Sequence, residues 1–115
     1  MESNKVELIG FINWSDLKEY KSGKVAKFLL GKKIKDNDYR SFPITMFGDE
    51  GEAAYKKFKK GDRANFVGKL SMNIYEKDGV ERKEIEIIAF EAKKVKFDEE
   101  TKRYVEIGNE LDDWE

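Results

Sequence analysis

A chain of 115 residues has the size of one domain, and 39 % hydrophobic residues, among them eight Phe, five Tyr and two Trp, supply a core despite 41 % charged residues. The net charge of −1 hides an asymmetry: residues 1–97 hold 21 Lys and Arg against 16 Asp and Glu, whereas residues 98–115 hold 2 against 8, so a basic body precedes an acidic tail. There is no Cys and no His, which excludes disulfides, thiolate catalysis, the usual zinc ligands and the usual neutral-pH proton shuttle.

No apolar run approaches the length of a membrane span or a signal-peptide core, so an intracellular, cytoplasmic protein is expected. In chain order, residues 4–14 alternate as a strand, with Val6, Leu8, Gly10, Ile12 and Trp14 on one parity and Ile9, Phe11 and Asn13 on the other. Gly10 inside that strand marks a bend or a close backbone approach. The segment "SDLKEYKSG" reads as a polar connection, and "KVAKFLLGKKIK" as a second strand with Ala26, Phe28, Leu30 and Ile34 on one face. "DND" turns the chain into a third strand, "YRSFPITMFG", in which Pro43 favours an edge or irregular position.

Acids then precede lysines and a glycine in "DEGEAAYKKFKKG", the charge order that complements a helix dipole, and a helix is expected over residues 50–59. That position is reason enough for Lys56, Lys57, Lys59 and Lys60. In the fourth strand Ala64, Phe66, Gly68, Leu70, Met72 and Ile74 share the parity expected to form core, while Lys69, Ser71, Asn73 and Tyr75 face outward. Asp78-Gly79 makes a hairpin turn into a long fifth strand whose apolar parity switches near Ile87 and Ile88, the mark of a bulge or a barrel corner. Three strands, a helix and two strands are the order of an all-β, five-stranded Greek-key OB-fold barrel with its helix between strands 3 and 4. The expected division is an OB-fold domain over residues 1–97 and an acidic tail over residues 98–115, in which "RYVEI" can form one more short strand.

Three stretches, "NKVELIG", "SGKVAKFLL" and "FG…AAYKKFKKGDRANFVGKLSMNIYEKDG", resemble the bacterial and phage single-stranded DNA-binding proteins of the OB-fold type, over roughly residues 4–97. The resemblance implies bases stacked on strand aromatics and phosphates tracked by basic residues. It places Phe47 and Tyr75 at stacking positions. The two other stacking tryptophans of the family have no clean match: Ile34 or Lys35 lies near one, and Ser41 or Phe42 near the other. Ser71 and Asn73 stand where the family usually has basic residues, and the connection between strands 2 and 3 is shorter. These departures are those of a small, divergent member such as a phage protein.

The physical case agrees, because any base can stack on an exposed aromatic for about 1–3 kcal/mol without its sequence being read. Lys32, Lys33, Lys35 and Arg40 flank the loop between strands 2 and 3, and Lys69, Arg82 and Lys83 are expected to cluster near the hairpin; all are candidates for phosphate contacts. Phe11 and Asn13 join the candidate single-stranded DNA site from the outer parity of the first strand, and Asn73 from the fourth. The bland counterpart is ordinary strand packing and a solvated, charge-balanced surface.

In the tail, Leu111, Asp112, Asp113 and Trp114 resemble the acidic, hydrophobic-tipped tail by which the family recruits replication and repair partners, with packing of Trp114 on the barrel as the alternative. The resemblance further implies a homo-oligomer, dimer or tetramer, that protects single-stranded DNA in replication, recombination or repair. No cofactor is implied. The rival functions are an enzyme, which no nucleophile elbow, P-loop or metal-ligand cluster supports, and an OB module that binds protein or RNA.

Overall fold

The computed structural model describes residues 4–107, which form six strands and one helix: β1 Val6–Tyr20, β2 Gly23–Lys35, β3 Asp38–Phe47, α1 Gly48–Lys57, β4 Arg63–Lys77, β5 Val80–Asp98 and β6 Arg103–Glu106. The sheet order is β3-β2-β1-β4-β5-β6, and a parallel pairing of β3 with β5 at Ile44 with Ile87 and Thr45 with Ile88 closes the first five strands into a barrel. Closure pairs β3 with β5 in the barrel, while β6 and the outer half of β4 each keep an open edge. The result is the expected five-stranded OB barrel with its helix between β3 and β4.

The turns follow from their residues. Asp78 (φ 56°) and Gly79 (φ 79°) occupy the two positive-φ positions of a two-residue hairpin loop between Lys77 and Val80. Asn37, at φ 64°, turns β2 into β3. The helix starts two residues earlier than expected, with Asp49 and Glu50 in its first turn and Lys56 and Lys57 in its last. Its buried Gly51 and Ala54 lie on the barrel, and Phe58 follows into the core.

Inward positions of the strands supply that core. Phe28, Phe58 and Phe66 meet with ring centroids 5.2–6.4 Å apart, surrounded by Ile12, Ala26, Leu30, Ile44, Met46 and Ile87. Gly10 is required by the approach of β2, since a Cβ there would overlap the carbonyl oxygen of Gly31.

Four expectations are corrected. First, Ser15 to Tyr20 is not a connection: these residues extend β1 and pair with β2 down to Tyr20 opposite Gly23. Leu17 is the one aliphatic residue there, and it faces the buried Ala26 of β2 while the strand grows exposed toward Tyr20. Second, the register shifts between Ile12 and Trp14, leaving Asn13 as an extra residue that turns Trp14 to the outer face. Third, Leu70, Met72 and Ile74 keep the inward parity but are exposed, because β4 outlasts its partner β1 beyond Gly68 and continues with β5 alone. Fourth, Ile34 is exposed, beside an irregularity between Lys33 and Lys35.

The irregularity expected in β5 lies at Phe90, where Val67 faces Glu91 and Gly68 faces Ala89. The side-chain amide of Asn4 bonds the Leu70 backbone in both directions (3.0 and 3.2 Å) and so secures β4 where β1 begins. The last strand, β6, pairs antiparallel with the end of β5, Val95 to Asp98. On the far side, Lys24 of β2 and Glu52 of α1 form an ion pair of 2.7 Å, whose hydrogen bond lowers the Glu52 pKa and raises that of Lys24.

Candidate nucleic-acid interface

Cross-strand partners point to the same side of a sheet, so the registers define what its outer face presents. Across β1, β2 and β3 the rows are Phe11, Gly31 and Ser41; Trp14, Leu29 and Pro43; Asp16, Lys27 and Thr45; and Lys18, Val25 and Phe47, with Lys33 beside Tyr39 at one end. Four large aromatics on this face are open to solvent: Trp14 (48 % exposed), Tyr20 (54 %), Tyr39 (60 %) and Phe47 (54 %). Beyond β3 the face passes to β5 at Glu86, where Thr45 Oγ1 accepts from Lys27 Nζ (3.0 Å) and donates to Glu86 Oε2 (3.3 Å). It then runs out along the hairpin through Asn73, opposite Glu84, to Tyr75, opposite Arg82. Tyr75 is 40 % exposed.

At the loop end of β2 and β3 the same face deepens into an open groove of about 1140 Å³, lined in part by Phe11, Asn13, Lys32, Lys33, Tyr39 and Arg63. Phe11 and Tyr39 pack edge to face with centroids 6.4 Å apart. Asn13 donates from Nδ2 to Ser41 Oγ (3.0 Å), and Lys32 donates from Nζ to the Ile9 carbonyl (3.1 Å). Lys33 pairs with Asp36 at 3.3 Å, in an exposed and therefore weak pair. Arg40 is turned onto Asp38 through two bonds of 3.2 and 3.3 Å. Lys35 is exposed and makes no ion pair among the described residues.

Four sequence candidates, Phe11, Asn13, Lys32 and Lys33, thus meet in one groove. Phe47 lies at the opposite end of β3, and Tyr75 on the hairpin with Arg82. The expected cluster of Lys69, Arg82 and Lys83 is not formed. Lys69 pairs with Ile88, about 20 Å along β4 from Tyr75, and Lys83, opposite Ile74, belongs to the other face of the hairpin. Trp14, Tyr39 and Arg63 also stand on this face without having been sequence candidates; for Tyr39 the signal is its place in "DYR", next to the candidate Arg40 where the loop meets the strand. The tail candidates Leu111, Asp112, Asp113 and Trp114 lie outside the described residues.

The chemistry open to this surface is binding. Among the described residues no group of three or more Asp or Glu is placed to hold a metal ion, and no helix is long and apolar enough to cross a membrane. What the face offers is flat, separated aromatic rings interspersed with lysines, the elements of a stacking platform with phosphate contacts. A family model described as "Single-strand binding protein family" matches residues 3–97. No curated protein matches the chain.

Proposed function

We propose a function from one premise: this chain belongs to the single-strand binding protein family. Its partner is therefore single-stranded DNA, and it is a binding protein rather than an enzyme. In our reading the strand lies across the outer face of β1, β2 and β3 and continues onto the β4–β5 hairpin. Bases stack on Tyr39, Trp14, Phe47 and Tyr75, and phosphates meet Lys32, Lys33, Lys35, Lys69, Arg40 and Arg82, with Phe11, Asn13 and Asn73 completing the surface. The observation that carries this reading is the set of exposed aromatics grouped on one continuous sheet face, Trp14, Tyr20, Tyr39 and Phe47, each presenting a flat ring on which a base can stack.

Stacking accepts every base, so sequence preference is weak, and counterion release makes the affinity fall with salt. Such binding shields single strands exposed during replication, recombination or repair, in the cytoplasm that a cysteine-free chain suits. Residues 1–97 are the binding domain in this account, and Leu111, Asp112, Asp113 and Trp114 in the acidic tail form a docking peptide for proteins acting on the same DNA. Self-association is assigned to the other face of the hairpin, where Leu70, Met72, Ile74 and Ile85 stand exposed side by side, since contiguous apolar surface of this kind marks contact with protein.

The test is fluorescence anisotropy of a labelled single strand and a duplex of equal length at two salt concentrations. Salt-sensitive binding to the single strand, with much weaker binding to the duplex, is the expected result. Equal affinity for both, or no binding at low salt, would move the function to an OB module that binds protein or RNA.

A further inference from the structure

Strand β6 lies beyond residue 97, where the family match ends, yet it delivers a side chain to the groove. Tyr104 is held there from two sides. Its ring packs edge to face on Phe97, its cross-strand partner, at 5.3 Å between centroids, and its hydroxyl accepts a hydrogen bond of 2.9 Å from Arg63 Nη1. Across the groove stand Tyr39 and Phe11, with Lys33 paired to Tyr39 in register. Gly31 and Gly10 also line the groove, and the Phe11 ring and Asn13 amide lie over Gly31, where a Cβ would run into both. The rings of Tyr39, Phe11 and Tyr104, the last with the Arg63 guanidinium 5.5 Å from its centroid, and the cations Lys32, Lys33 and Arg63 together offer contacts for a planar group joined to a negatively charged one.

We infer that this groove is a subsite for one unpaired nucleotide, with Tyr104 as a stacking wall and Arg63 as its phosphate contact, and that β6 extends the binding surface past the family-matched domain. The inference rests on the single-strand reading above. A rigid ring is worth more to a ligand than a mobile one, because the entropy of ordering it is already spent; Phe97 and Arg63 do that ordering for Tyr104. Glu7 also lines the groove, but Asn65 Nδ2 donates to its Oε2 at 2.8 Å, which draws the carboxylate to one side. With Arg63, Lys32 and Lys33 the cations at the groove outnumber it.

The experiment titrates the full-length chain and three variants with labelled oligothymidylates of increasing length, at several salt concentrations. Tyr104→Ala should weaken binding about 5- to 150-fold and shorten the stretch of DNA covered per protomer by about one nucleotide. Tyr104→Phe keeps the ring but loses the hydroxyl that Arg63 holds, and should bind less tightly than the parent and more tightly than Tyr104→Ala. Arg63→Gln should lower the slope of log affinity against log salt by about one phosphate's worth. If the parent binds and Tyr104→Ala and Arg63→Gln match it in affinity, coverage and salt slope, this subsite is wrong while the family function stands. A parent that binds no single strand at all overturns both. Because Tyr104→Ala can also loosen β6, the salt slope of Arg63→Gln on β4 decides between these outcomes if the melting temperature of Tyr104→Ala falls.

Discussion

From Ala64 to Phe66 the inward face of β4 is sealed in the barrel, whereas from Leu70 to Ile74 the same face of the same strand stands in solvent. The residue pattern does not change between the two halves; the company does. The first half has β1 on one side and β5 on the other, with the phenylalanine core above it, while the second has only β5. Alternation tells which side of a sheet a residue is on, and only a second layer decides whether that side is buried. One half of the strand therefore serves stability and the other is free to serve contact.

The largest expected effect separates the two halves directly. Phe66→Ala removes a ring packed on Phe28 and Phe58 and should cost about 3–5 kcal/mol in chemical denaturation. Ile74→Ser, of the same parity but exposed, should cost no more than about 0.5 kcal/mol while lowering the oligomeric state seen by sedimentation. Comparable destabilisation by both would mean that the arm is part of the folding unit. At the boundary sits Gly68, where a Cβ would overlap the Ile88 carbonyl beside the β5 bulge. Gly68→Ala should therefore lose about 1–3 kcal/mol, and a neutral outcome in the same denaturation assay would show that the pivot has room.

On the arm's other face, Tyr75→Ala should weaken single-strand binding by about 1–3 kcal/mol with an unchanged melting temperature. Unchanged affinity in an anisotropy titration would leave the arm with self-association alone. The smallest effect belongs to the body, where Lys24 ties α1 to β2 through Glu52. The hydrogen bond from Lys24 lowers the Glu52 pKa below its usual 4.5, so its contribution is present above that value and is lost as pH falls through the lowered folded-state pKa. Lys24, raised above 10.5, contributes below that value and loses its share as pH rises through the raised one. Glu52→Gln should flatten the acid-side slope of melting temperature against pH, and an identical slope would mean that the pair is fully screened.

Strand order, helix position and hairpin turn were legible in the sequence, because they depend on local signals: alternation, dipole-matched charge and Asp78-Gly79. Four residues of the groove were legible as well, Phe11 and Asn13 from the outer parity of the first strand and Lys32 and Lys33 from their place beside the loop between strands 2 and 3. What escaped depends on register. Asn13 as an extra residue reverses the parity of Trp14, so a ring counted on the same parity as Ile12 becomes part of the outer face. Tyr104 and Arg63 meet across 41 positions of chain, through the pairing of β6 with β5 and of β5 with β4, and no local pattern reports such a meeting. Lys69 shares a hairpin with Arg82 and Lys83, but faces alternate along it and about 20 Å separates its two ends.

The central claim is that DNA lies on the outer face of β1, β2 and β3, and Trp14 is placed there to report it. The measurement is tryptophan emission in a Trp114→Phe variant, whose remaining tryptophan is Trp14, during titration with oligothymidylate at low salt and again after salt is added. Saturable quenching that follows the anisotropy curve and reverses with salt is the predicted result. Tight binding by anisotropy with no change in Trp14 emission would contradict it, and would put the DNA on another face of the barrel.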